Sequence, residues 1–429
     1  MKKKILALVL VIALVASLAV ALVACNTDDT ATGTISFKPI AKDNIKFGLI
    51  CLHGANSTYD KNFIDAAREA VANMGLDVES QLVIKTDIPE SSECYEAAID
   101  LVNQGCNVIF ADSFGHESYI LQAAKENPTV RFAHATGTTS HTELQANFYN
   151  AFASIYEGRY LAGVAAGLKL NEMKEEGKLK GSVPKIGYVG AYPYAEVISG
   201  FTSFYLGARS VCPDVVMDVR YTSSWYDEAA EKSTAEALIK GGCDLISQHA
   251  DSMGAPTACK EKGVPNVTYN ISTKDSCANS YLIGSRVNWA PYFEYYINCA
   301  INGVTAVGFD WCGEIGENIF DGGSVEVLEI NEAIAAEGTE DKLNEVAAEL
   351  RNGTRKVFDI DTFTVDGKKL TEYLADIDTD AAFEKDTQVI ITEKIDDEKS
   401  ITYFAESLYR SAPYFDVIID GITVITANA

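Results

Sequence analysis

Twice along this chain, apolar runs of strand length alternate with single helices of 3.6-residue period, and that alternation restricts the fold more than any other feature. Residues 45–52 (IKFGLICL) are nearly all apolar, as in a parallel strand covered on both faces. The spacing then predicts a helix with Phe63, Ala66, Ala67, Ala70, Val71 and Met74 on one face, ending at Gly75. Tyr95, Ile99 and Val102 form a further helical face that stops at Gly105, and strands are expected over 108–111 and 130–135. A second series follows a Lys/Glu-rich linker at 171–180. Its strands lie near 186–189, 215–219, 245–247 and 267–269, with helices near 196–208, 227–240 and 256–262 between them. Right-handed βαβ crossovers then imply an α/β protein of two similar, doubly wound lobes.

At 429 residues the chain exceeds the roughly 250–300 at which a single core stops growing, in keeping with two units. Acidic side chains outnumber basic ones 61 to 35, a formal charge of −26, which argues against nucleic-acid binding and against docking on anionic lipid through basic patches. The ten cysteines form no CxxC pair and sit mostly inside apolar runs, so free buried thiols are expected. Five histidines without ligand spacing give no metal site. No GxGxxG, GxxxxGK[ST], GxSxG or HExxH occurs, so neither catalytic residues nor a cofactor are expected.

An internal echo points to a site. Residues 105–109 (GCNVI) lead to Ala111-Asp112-Ser113-Phe114-Gly115, and 242–246 (GCDLI) lead to Ala250-Asp251-Ser252-Met253-Gly254. Each Asp-Ser pair leaves a strand at its carboxyl end, where open α/β sheets bind ligands, although both residue types also favour turns and caps. Other strand ends carry Tyr59 and Asp60, then Trp225 and Asp227, then Asn288 and Trp289. Aromatic faces beside carboxylates and amides suit a flat heterocycle with hydrogen-bonding edges. Asp60 and Asp227 have an equally simple reading as helix caps. Few cations accompany these loops, Lys61 and Arg286 being nearest, which disfavours a phosphorylated ligand.

The N-terminus reads as an address. Lys2, Lys3 and Lys4 precede an apolar run over 5–24, and Leu22-Val23-Ala24-Cys25 resembles the lipobox of bacterial lipoproteins. That resemblance implies a signal peptide over 1–24, acylation of Cys25 and a tether over 25–44; a plain N-terminal anchor is the alternative.

The chain also resembles the basic membrane protein (BMP) family of ABC-transporter substrate-binding lipoproteins, which includes purine nucleobase and nucleoside receptors. The matching stretches are Ala111-Asp112-Ser113-Phe114-Gly115, residues 131–137 (RFAHATG), Tyr156-Glu157-Gly158-Arg159-Tyr160, Ser224-Trp225-Tyr226-Asp227, residues 248–252 (QHADS) and Asn288-Trp289-Ala290-Pro291-Tyr292. The resemblance implies a type I periplasmic-binding-protein fold, two lobes joined by a hinge. Lobe one would be 45–146 plus 284–308 and lobe two 147–283 plus 309–374, with a C-terminal extension over 375–429. It implies a monomeric receptor on the extracytoplasmic face of the cell membrane that hands a purine base or nucleoside to an ABC permease. Trp225 would stack one face of the purine, opposed by Tyr59 or Phe63. Asp60, Ser113, Phe114, Asp227, Asp251, Asn288 and Trp289 complete the expected site. Where the nucleoside-binding branch has an Asp-rich turn, this chain has Tyr269-Asn270. A lipoprotein nucleoside hydrolase and a sensor-type receptor for another small molecule are the competing readings.

Overall fold

In a computed structural model, residues 36–308, 310–377 and 384–426 are described. Cys25, the signal peptide and most of the tether lie outside them. The end of the tether segment is docked: the Arg131 guanidinium lies 3.8 Å from the Phe37 ring centroid, and the Ile40 N–H donates to the Ala300 carbonyl. No helix among the described residues is long and apolar enough to cross a membrane.

Two sheets organise the molecule. The first contains β1 (Phe47–Ile50), β2 (Leu82–Lys85), β3 (Val108–Ala111), β4 (Arg131–Ala135), β5 (Phe148–Ala153) and β11 (Asp310–Gly313), in the order β11-β5-β4-β3-β1-β2 and parallel throughout. The second contains β6 (Lys185–Gly190), β7 (Val216–Tyr221), β8 (Leu245–His249), β9 (Asn266–Tyr269), β10 (Tyr281–Val287) and the antiparallel edge strand β12 (Val325–Val327). Strands β1, β3, β4 and β5 are buried along their whole length, which is why β1 and β3 are continuously apolar rather than alternating; β4 and β5 bury Arg131, His134 and Asn150 among apolar neighbours.

The first lobe's helix α1 (Thr58–Asn73) begins where Ser57 Oγ accepts the Asp60 N–H. It buries Phe63, Ala66, Ala67, Ala70 and Val71, and Gly75 follows at φ +63°. In the second lobe, α2 (Ile155–Glu175) and α3 (Ala195–Val211) cross so closely that a Cβ on Gly163 would come within 2.0 Å of the Phe204 carbonyl oxygen.

Three chain segments pass between the sheets: after β5, after β10 and after β11. Ser154 N–H donates to the Gly313 carbonyl at 2.8 Å, and Asn288 N–H to the Ser324 carbonyl at 2.8 Å, tying these crossovers together. Two strands sit in the first sheet although the sequence reading placed their residues in lobe two: β5 continues the parallel order beside β4, and β11 returns to pair with β5. Conversely β10, whose last residues the reading gave to lobe one, pairs with β9 in the second sheet.

At the C-terminal end, helix α4 (Thr339–Arg351) follows Gly338, which takes φ +76°. Beyond it, Ile422–Val424 is extended and adds in parallel to β7. The extension is part of the second lobe's core. Phe415 stacks on Phe358 with ring centroids 4.3 Å apart, and Val389, Phe404, Ile419 and Ile422 are buried with it.

Candidate functional site

The carboxyl ends of both sheets face each other across a slot. From the first lobe come Leu52, Tyr59, Asp60, Ser113, Phe114 and Thr136; from the second come Glu196, Trp225, His249 and Asp251. The slot is narrow: its free space is about 20 Å³, little more than one water molecule occupies. In this arrangement the slot has no room for a ring of atoms.

Each wall is fixed by its own hydrogen bonds. Asp60, 1% exposed, accepts from the His53 N–H at 2.7 Å and from Ser57 Oγ at 2.5 Å. Burial pushes its carboxyl up, but these donors together with the His53 side chain outweigh burial and hold it below the usual carboxylate range. Tyr59 Oη donates to the Asp112 carbonyl at 2.7 Å. Asp112 is fully buried beside Asp60, and burial followed by that neighbouring charge drives its carboxyl well above the ordinary value. Ser113 Oγ donates to Glu90 Oε1 at 2.6 Å, so its proton is already committed.

On the opposite wall, Asp251 N–H donates to the Trp225 carbonyl at 2.9 Å, which locks the tryptophan's loop to the end of β8. The Asp251 carboxyl is pushed well above its normal range by burial and then by Asp60, Glu231 and Glu196. Glu231 braces this turn by accepting the N–H groups of Ser252 and Asp227 at 3.2 Å each. His249 Nε2 lies 3.3 Å from Glu196 Oε1, and burial lowers the imidazole's pKa. Trp225 is half-buried, with Tyr192 edge-on at 5.2 Å between centroids.

Six of the ten residues expected at the ligand site converge on the slot: Tyr59, Asp60, Ser113, Phe114, Trp225 and Asp251. Four do not line it. Phe63 and Trp289 stack on each other at 4.5 Å inside the first lobe, both essentially unexposed. Asn288 turns to the crossover, where its Nδ2 donates to Glu326 Oε1 and its Oδ1 accepts the Ala290 N–H. Asp227 is exposed and caps the helix Glu228–Lys240 by accepting the Ala230 N–H. These are packing, hinge and cap positions, because adjacency in sequence to a strand end does not fix which way a side chain points.

Leu52, Thr136, Glu196 and His249 were not foreseen. Thr136 and His249 stood inside quoted stretches, RFAHATG and QHADS. Glu196 sits in the first turn of α3 with no sequence signal of its own.

The nine described cysteines are free, eight of them buried. Cys51, Asp60 and Asp112 place ligand atoms within 4.8 Å of one another below the slot.

Two facing α/β lobes joined by three crossovers, with a slot at their strand ends, define the type I periplasmic-binding-protein fold. A solute-binding protein from Conexibacter woesei shows the same fold, with a TM-score of 0.58 and 18% identity over 73% of this chain and 98% of its own. Residues 50–319 match the Bmp family, described as ABC transporter substrate-binding protein PnrA-like, and the chain belongs to that family. It is a binding protein rather than an enzyme. A purine-binding protein of Brucella abortus is 30% identical over 64% of this chain and 73% of its own length. A nucleoside-binding protein of an ABC transporter in Lactococcus lactis is 30% identical over 66% of this chain and 74% of its own. A third relative, in Haloferax volcanii, is provisionally named for glucose; it is 31% identical over 53% of this chain and 54% of its own length.

Proposed function

We propose that this protein is a lipid-anchored, extracytoplasmic receptor that closes its two lobes over a purine nucleobase or nucleoside and delivers it to an ABC permease. The observation that carries this reading is the meeting of Trp225 and Asp251 from one lobe with Tyr59, Phe114 and Asp60 from the other. Aromatic side chains offer stacking faces worth about 1–3 kcal/mol per base. Acidic side chains on both walls accept N–H or hydroxyl hydrogens at the ligand's edge, and carboxylates left without donors would penalise a ring that lacks them. The relatives named for purine and nucleoside ligands support the same class. Lipid attachment rests on Leu22-Val23-Ala24-Cys25.

A thermal-shift panel of nucleobases, nucleosides and hexoses tests the ligand class. At least one purine should raise Tm in a saturable way. Stabilisation by glucose alone, or by no purine, overturns the reading. Loss of palmitate labelling in Cys25→Ala tests the anchor.

A further inference from the structure

Behind the wall that the second lobe gives the slot lies a cation bonded to no carboxylate. Arg159, on α2, is 1% exposed. Its Nη1 donates to the Gln248 carbonyl at 3.2 Å, while its Nε and Nη2 are buried and donate to nothing among the described residues. A guanidinium held out of water in this way costs free energy, which stacking on an aromatic ring offsets in part.

A column of contacts leads from it to the slot. The Arg159 guanidinium lies 3.6 Å from the Tyr269 ring centroid, the Tyr269 ring lies 4.8 Å from that of His249, and His249 Nε2 lies 3.3 Å from Glu196 Oε1. Glu196 and His249 line the slot; Arg159 and Tyr269 stand behind them.

The surroundings of His249 select one form of its ring. Nε2 faces a carboxyl oxygen, so it carries the hydrogen. Nδ1 is buried against α3, where a Cβ on Gly200 would come within 2.9 Å of it, and it has no partner among the described residues. A second proton would place an N–H there without an acceptor. The charged and titratable groups of this lobe around the ring are Glu196 from α3, Arg159 from α2, Tyr188 from β6, Tyr269 from β9 and Asp251 just beyond β8. Tyr59 and Asp60 face it across the slot. Burial lowers the imidazole's pKa, Glu196 raises it and Arg159 lowers it further.

We propose that Arg159 is a positioning residue for the slot: through the Tyr269 and His249 rings it keeps His249 a neutral donor to Glu196, and so holds the Glu196 carboxyl where it meets the ligand. The consequence for the ligand rests on the receptor reading above; the consequence for His249 does not.

The test has two arms. In the ligand-free protein, nitrogen NMR of the His249 ring, assigned by loss of its signals in His249→Asn, follows protonation on acidification. In Arg159→Met the midpoint should lie at least about half a pH unit above that of the wild type. Identical behaviour in the two proteins overturns the proposal. The second arm is a double-mutant cycle with the purine that gives the largest thermal shift. Arg159→Met and Glu196→Gln should each weaken binding at least about fivefold, and the double variant no further than the weaker-binding single one. Losses that multiply overturn the proposal, because Arg159 would then act other than through Glu196; so does an affinity unchanged in Arg159→Met. If no purine binds the wild type, the receptor reading fails and the His249 titration alone decides the proposal. Should Arg159→Met fail to fold, Arg159→Gln, which keeps a donor for the Gln248 carbonyl, carries both comparisons.

Discussion

The backbone N–H of Thr58, the first residue of α1 in one lobe, donates to the carbonyl of Asp251 at the end of β8 in the other, at 2.7 Å. This bond crosses the slot and fixes the spacing of its walls. His53 and Tyr226 face each other across the same gap with ring centroids 5.3 Å apart, as do Phe114 and Tyr194 at 5.9 Å. The lobes thus meet through main chain and aromatic contact, and Phe114 both lines the slot and takes part in that contact.

The two tryptophans at strand ends should behave in opposite ways. Trp225→Ala should leave Tm within about 2 °C of wild type but weaken purine binding roughly 10- to 100-fold, from the loss of one stacking face. Trp289→Ala empties the stack against Phe63 and should cost about 3–5 kcal/mol of stability. Paired calorimetric titrations and denaturant curves on both variants decide this.

The two aspartates flanking that loop divide in the same fashion. Asp227→Ala removes a helix cap and should lower stability by about 0.5–2 kcal/mol with affinity unchanged. Asp251→Asn should lose ligand affinity at least tenfold while its Tm stays the same or rises, since burial and the neighbouring carboxylates disfavour a charge at this position and the amide cannot ionise. A loss of affinity in Asp227→Ala equal to that in Asp251→Asn would contradict the assigned geometry.

Stability should fall as pH rises from about 6.5 to 8. Burial raises the Glu231 and Glu406 carboxyls to about 7. A raised acid contributes stability that is fully present below its unfolded pKa of about 4.3 and is lost as pH climbs through the folded value. Groups of opposite sign act below this window: Asp60, whose depressed pKa places its loss below pH 4, and the buried His116, His134 and His249, whose lowered pKa values oppose the decline up to about pH 6.5. Melting temperatures across the range should show the decline, and Glu231→Gln should flatten it.

Deleting 386–429 should do more than trim a tail. It withdraws Val389, Phe404, Phe415 and Ile422 from the second lobe's core and a strand from beside β7. The truncated protein is expected to lose cooperative unfolding of that lobe by circular dichroism. A variant that melts like the full chain would show that the segment is dispensable.

The sequence by itself determined the parallel α/β architecture, because strands covered on both faces read as nearly continuous apolar runs, as 47–50 and 108–111 do. It also determined the helix end at Gly75 and the two Asp-Ser pairs at strand ends, which follow from local backbone geometry and chain order. Only the tertiary structure decided which residues line the slot. Trp225 and Trp289 carry the same signal in sequence, an aromatic beside a polar residue at a strand end, and opposite fates in space. Glu196 and His249 reach the slot through the placement of α3 and β8, which depends on packing between segments far apart in the chain. The C-terminal segment likewise shows its role only when folded, since its apolar residues are too scattered for any period to reveal the core they enter. Periodicity records which face of an element is buried; which elements meet, and which side chains then share a space, is set by long-range packing that no local pattern encodes.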